Sequence, residues 1–279
     1  MSEQGSLQRK FVGQPTAEQR ENLKKESTFK DSKESKLFKG LKVNAQRLIN
    51  AILPKNGVFS IDYSLPGNLA TTQVKNQGAC GSCWAFAGIG EIESFFMARH
   101  KMSLDLSEQQ MVDCVTAIIP QTLGCGGGQI DSVHYYAALL PIATEKYYPY
   151  TAKGGNCNND RITQSGGYRI NSYTYISGCQ LMTSTILNLR PFAVCGMVDD
   201  QWKTYKTGVL TTCNQGTPGG HCIMLVGVYS DGTTNVNTNY FKYQNSWGVG
   251  WGMQGYVNLY RDPADQKGIC NLCSGVYSV

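Results

Sequence analysis

The stretch Gln77-Gly78-Ala79-Cys80-Gly81-Ser82-Cys83-Trp84 runs directly into a segment where Ala85, Ile89, Ile92 and Phe96 recur at helical spacing, with Glu91 and Glu93 between them. The pattern predicts a helix opening near Ser82-Cys83. A thiol at that end sits in the positive pole of the helix dipole, which favours thiolate over thiol.

Working outward, a second helix is expected to open at Ser107, where Ser107 and Gln110 fit a capping box ahead of Met111 and Val112. Beyond about residue 165 the texture changes to short β-prone runs separated by Gly, Asn and Asp: Tyr168–Tyr175, Phe192–Met197, Ile223–Tyr229, Tyr240–Tyr243 and Gly255–Tyr260. A helical half followed by a β half predicts a two-lobed α+β protein. Upstream, residues 1–36 are polar and bury little. Residues 37–53 fit a short amphipathic helix ending before Pro54, and Pro54-Lys55-Asn56-Gly57 reads as a turn and a boundary. The expected organisation is a basic N-terminal extension, 1–56, and one domain over 57–279.

Composition supports that division. The chain has 279 residues, 41% hydrophobic and 16% charged, with 31 glycines and 16 tyrosines, as for a loop-rich globular protein. No apolar run approaches the ~20 residues of a membrane span. Of the net charge of +5, residues 1–56 carry twelve Lys and Arg against six Asp and Glu, so the body is nearly neutral. The basic charges alternate with Glu and Ser, which reads as a solvated segment and not as a nucleic-acid surface. All 11 cysteines follow Ala79. That density predicts a disulfide framework and an oxidising compartment, and the odd number leaves at least one sulfur over. The polar start Met-Ser-Glu-Gln-Gly-Ser has no signal-peptide character, so an intracellular location stays open beside a lysosomal, vacuolar or extracellular one.

The Cys80-Gly81-Ser82-Cys83-Trp84 signature resembles the papain (C1) family of cysteine peptidases, cathepsins included. Three later segments carry the same resemblance in the family's order: Leu106 to Cys114 with Gly124-Cys125-Gly126-Gly127-Gly128; Gly219-Gly220-His221-Cys222; and Asn245-Ser246-Trp247-Gly248 with Gly250-Trp251-Gly252. The match covers roughly 60–279. It implies a helical lobe and a β-barrel-like lobe with a cleft between them, and peptide hydrolysis without cofactor or metal. Cys83 is then the nucleophile, His221 the acid and base paired with it as an ion pair, Asn245 the residue orienting the imidazole, and Gln77 an oxyanion donor. Trp247 shields the His–Asn bond. Gly127 and Gly128 admit an extended substrate backbone, while Cys195, Cys222 and Gly275 surround the pocket for the P2 side chain. The resemblance also implies the bridges Cys80–Cys125, Cys114–Cys157 and Cys213–Cys270, with Cys195, Cys222 and Cys273 as buried thiols and Cys179 unassigned.

Other readings compete with single motifs. Cys80-x-x-Cys83 alone fits a redox dithiol, and Cys270-x-x-Cys273 alone fits half a zinc site; both leave His221 and Asn245 unexplained. His100, at the expected end of the first helix, and His134 read as structural. The expected partners are polypeptide substrates, with residues 1–56 as a short propeptide blocking the cleft or as a docking segment. The rival functions are a silent scaffold subunit of this fold and a ligase or transpeptidase using the same residues.

Overall fold

The computed structural model describes residues 57–279 apart from 68, 69, 121, 214, 215, 217 and 263; the amphipathic helix expected at 37–53 lies outside the described residues. Two hydrophobic cores divide the body. One packs Trp84, Ile89 and Ile92 of the first helix, α1 (Cys83–His100), against Met111 of α2 (Glu108–Cys114) and Val133 and Tyr136 of α3 (Ile130–Leu139). Gly88 lets α1 and α3 meet, because a Cβ there would lie 2.7 Å from that of Val133. Helix α1 ends where Lys101 turns left-handed, at φ 58°, and donates its N–H back to Met97.

Ser107 caps α2, its hydroxyl accepting from the Gln110 N–H at 2.9 Å. The other half of the predicted box does not form. The Gln110 carboxamide is buried, takes the Ala143 N–H at 2.7 Å and donates to the Tyr136 hydroxyl and the Pro141 carbonyl. Three buried polar groups would lose their partner if this amide turned back to its own helix.

The second core lies on a six-stranded sheet. Its spine is β5 (Gly219–Asp231), whose 13 residues take two antiparallel partners on one edge. They are β3 (Phe192–Val198), along residues 219–225, and β1 (Val58–Asp62), along 227–231. On the other edge follow β6 (Tyr240–Gln244), β7 (Tyr256–Tyr260) and the parallel pair of β7 with β4 (Val209–Leu210). Of the run expected at 168–175, only a bridge at Tyr168 and the short β2 (Thr174–Ile176) are β structure, β2 pairing with β8 (Val276–Ser278). Helices α4 (Asn159–Ser165), α5 (Cys179–Asn188) and α6 (Asp200–Thr204) complete the fold, so the second half is not purely β. The α+β two-lobed class holds.

Both ends of the described chain cross between lobes. β1 precedes the helical lobe but pairs within the sheet. At the far end, Ser278 and the Val279 N–H bond to Glu91 on α1. Glu91 is fully buried and also takes Arg190 at 3.2 Å and the Ala193 N–H at 3.1 Å, with His134 Nε2 at 3.3 Å. Burial pushes its carboxyl up, but His134 and Arg190 outweigh that and hold it down at about 2. The sign follows: stability from this group is complete above the ordinary value of 4.5 and is lost as pH falls toward 2. Glu91→Ala strands Arg190 and is expected to cost about 3–5 kcal/mol in urea unfolding at neutral pH. A loss below about 1 kcal/mol, the size of a surface pair, would refute a network holding the lobes together.

Candidate active site

The loop before α1 is folded by close backbone contacts. Gly81 donates its N–H to the Cys125 carbonyl at 2.9 Å, and a Cβ on it would stand 2.6 Å from that oxygen. The neighbouring Cys80–Cys125 bridge pins the same approach. Trp84 is fully buried, its indole N–H on the Gly124 carbonyl at 3.1 Å. Cys83, the first residue of α1, is therefore half-buried at the seam of the lobes and is a free thiol. Burial pushes it up from the ordinary thiol value, while the backbone N–H groups of Cys222, Trp84 and Cys83 itself pull it down.

Cys222, the residue after His221 on β5, packs in the same cluster as Cys83, and its backbone N–H is among the groups that pull the thiol down. His221 Nε2 lies 2.8 Å from Asn245 Oδ1, which also accepts the Ser246 N–H at 2.8 Å. An amide oxygen can only accept, so Nε2 donates and Nδ1 keeps the lone pair of the neutral ring. Burial pushes the imidazole down to about 4, against the raising effect of the Asn245 hydrogen bond. Trp247 lies over His221 with ring centroids 4.8 Å apart, and Trp202 meets its edge at 6.2 Å. Trp251 contacts both tryptophans and donates to the Trp202 carbonyl. Trp202 and Trp251 thus form the wall of the histidine site.

Gln77 is held to the asparagine loop. Its Oε1 accepts from Ser246 Oγ at 2.7 Å, its N–H donates to the Ser246 carbonyl, and its carbonyl takes the Tyr150 hydroxyl at 2.9 Å. Nε2 gives one N–H to the Cys80 carbonyl at 2.8 Å and retains a second. Tyr150, which also bonds Ser82 Oγ at 2.6 Å, is a supporting residue with no motif to announce it.

The glycines separate in role. A Cβ on Gly127 would meet nothing, whereas one on Gly128 would run into the Trp84 indole at 2.6 Å. Gly128 is thus required by packing whatever passes above it. At Gly275 the place of a Cβ is taken by the Tyr175 hydroxyl.

The sulfurs require a correction. Cys114–Cys157 and Cys213–Cys270 are bridged, but Cys195, Cys222 and Cys273 are not buried thiols: Cys195 is bonded to Cys222 and Cys273 to Cys179. Cys195 and Cys222 are directly opposed on β3 and β5, a register that residue spacing does not reveal. Five bridges fit an oxidising compartment. Among the described residues no group of His, Cys, Asp and Glu is arranged to hold a metal, and no helix is long and apolar enough to cross a membrane.

Residues 59–278 match the model of the papain family cysteine proteases. A cathepsin L-like proteinase of Fasciola hepatica is 34% identical over 209 residues, 73% of this chain and 61% of its own length. Ananain of Ananas comosus is 35% identical over 217 residues, 76% of this chain and 59% of its own. The chain thus spans about three fifths of the length of these curated relatives. The bromelain protease of Ananas comosus, solved in complex with the E64 inhibitor, superposes with a TM-score of 0.67 at 29% identity, over 78% of this chain and 97% of that one. The digestive procathepsin L2 proteinase of Tenebrio molitor larval midgut superposes with a TM-score of 0.64 at 31% identity, over 78% of this chain and 67% of that one. A half-buried thiol opening a helix and a histidine bonded to an asparagine thus stand within the sequence and fold that the family shares, and the chain belongs to the papain family of cysteine proteases.

Proposed function

We propose that the protein hydrolyses peptide bonds through an acyl-enzyme on Cys83. The observation that carries this reading is that Asn245 Oδ1 holds His221 Nε2 at 2.8 Å while the next residue, Cys222, packs in the same cluster as the Cys83 thiol. With Nε2 committed to Asn245, Nδ1 is the nitrogen available to take the Cys83 proton. The sulfur then attacks the scissile carbonyl and expels the amine, which leaves with the proton from His221. Water, deprotonated by His221, releases the acid product and restores the thiol. Negative charge on the carbonyl oxygen is met by the Cys83 backbone N–H and the second N–H of Gln77 Nε2, already fixed by Ser246 and Cys80. Gly127 uses its own N–H and C=O within the chain, on Gly124 and Leu123, so Gly128 is the glycine that presents backbone to a substrate strand.

Burial works against charge on either partner taken singly, so thiolate and imidazolium arise together by one proton transfer and titrate as a pair. An epoxide that alkylates active-site thiolates is expected to label Cys83 near pH 6. With His221→Ala the thiol titrates alone, above its ordinary value of 9.0, and labelling at that pH drops by more than about 100-fold. Labelling is to be measured with residues 1–56 attached and after their removal. Acceleration on removal supports a propeptide over the cleft, and no labelling of Cys83 in either form ends the peptidase reading.

Gln77→Ala is expected to lower kcat by about 100- to 1,000-fold with little change in KM, the signature of a donor used in the transition state. An equal loss in KM alone would reassign Gln77 to ground-state binding.

At the P2 pocket, the Cys195–Cys222 bridge and Gly275 offer no carboxylate to pair with arginine. An apolar P2 residue is preferred. Fluorogenic Phe-Arg and Arg-Arg dipeptides compare the two directly, and equal kcat/KM values would rule the preference out.

A further inference from the structure

The bridge between Cys195 and Cys222 stands at a position where two requirements of the cleft meet. Cys195 lies opposite Cys222 across β3 and β5, and the next pair along the ladder is Gly196 opposite His221. Cys222 is buried, and with Cys195 and Cys83 it packs on the helical core, so the bridge faces α1 and not the interior of the sheet lobe. Cys222 also lines, with Asn245, Ser246, Phe86 and Gly90, a cavity of about 30 Å³ at the lobe seam. Cys83 packs against the same cluster, and the Cys222 backbone N–H is among the groups that pull its thiol down.

From this arrangement we propose that the Cys195–Cys222 disulfide positions the nucleophile and fixes the selectivity of the cleft, by tying β3 to β5 at the residue after His221. It rests on the peptidase reading above. A hydrogen bond to a developing thiolate is charge-assisted and depends on distance and direction. Backbone play at Cys222 would weaken that bond and shift His221 with it. The covalent link removes this play, because two strands opposed at the bridge cannot slide or splay there. It also turns two separate thiols into one stiff apolar floor, which cannot spread to admit a wider side chain. Cys195 and Cys222 thereby act through the Cys83 sulfur and through pocket shape, without entering the reaction.

Other titratable groups near Cys83 have separate partners. His221 is the one on β5 at the cleft. On α1, Glu91 is engaged by Arg190 and His134, and Glu93 by Lys75, which also holds Glu108 of α2. A change confined to the bridge therefore reports on Cys83 and His221.

The test compares the double variant Cys195→Ala/Cys222→Ala with Cys179→Ala/Cys273→Ala, which removes the bridge packed under Gly268 in the sheet core. Iodoacetamide alkylation of Cys83 against pH needs no turnover, so it reads the positioning claim even in a protein that cleaves nothing. The ratio of kcat/KM for Leu and Phe at P2 reads the pocket. In the first variant the acid limb of alkylation is expected to move up by about one pH unit, a tenfold loss of thiolate at fixed pH. The P2 ratio is expected to move toward one by roughly tenfold, as for a methylene-sized change in an apolar pocket. The second variant is expected to melt at a lower temperature and to change neither. A folded first variant with the wild-type limb and ratio overturns the proposal. Should that variant not fold, graded phosphine reduction of the wild-type protein, with each bridge scored by mass mapping, decides the matter. Selectivity must then fall in step with the opening of Cys195–Cys222; tracking any other bridge overturns the proposal equally.

Discussion

The cleft exists because α1 cannot shift relative to β3 and β5, and the buried Glu91 carboxylate is what prevents it. It accepts from Ala193 of β3, from Arg190 just before that strand and from Ser278 and Val279, while belonging to the helix that begins at Cys83. An ionised carboxylate in a fully buried position is tolerated only when its lone pairs are filled and a cation is near. Any sliding of α1 would empty some of them at once. Cys83 and the histidine strand are thus kept in register from about 12 Å down the helix, eight residues at 1.5 Å each.

A second ionic staple acts from the other side. Lys75, two residues before Gln77, reaches Glu93 of α1 at 3.1 Å and Glu108 of α2 at 2.7 Å, and its backbone carbonyl accepts the Gly248 N–H of the asparagine loop. Burial works against the ammonium, but Glu108 and Glu93 outweigh it and hold the lysine charged well above its usual range. One lysine does not balance two buried glutamates, and burial pushes Glu108 up to about 8 in spite of Lys75. The loop that carries Gln77 is therefore fixed at its side-chain end to the helical lobe and at its backbone end to the loop that carries Asn245. Gln77 and Asn245 are held by the same few residues, which is how a candidate site assembled from four distant segments acquires one geometry.

What could be read from the chain divides along a physical line. Short segments whose function is set by their own backbone were legible: Cys83 before a helical stripe, Ser107 as a cap, the apolar β5 run after His221. Properties that depend on which distant segment lies opposite were not. Val58–Asp62 is a five-residue strand with no strong alternation, and it is a strand only because the far half of β5 offers an edge. Cys179–Asn188 sits among β-prone runs, and the second core is what makes its helical stripe worthwhile. Gln110 obeys the capping pattern in sequence yet spends its amide on residues 136–143, since a buried partner elsewhere outweighs a cap. Cys195 and Cys222 belong to the same class, because a cross-strand bridge is a statement about register.

The sulfur inventory closes the argument about reactivity. Ten of the 11 cysteines are bridged, and Cys83 is the eleventh. A free thiol among bridges is normally a hazard, since a thiolate attacks disulfides as readily as it attacks carbonyls. Here burial disfavours the lone Cys83 thiolate, so in the proposed mechanism the anion forms by passing its proton to His221. The same desolvation that looks unfavourable for a lone nucleophile thereby ties its reactivity to the proposed His221 base. A more exposed Cys83 would form thiolate more freely, and would put the bridges beside it at risk.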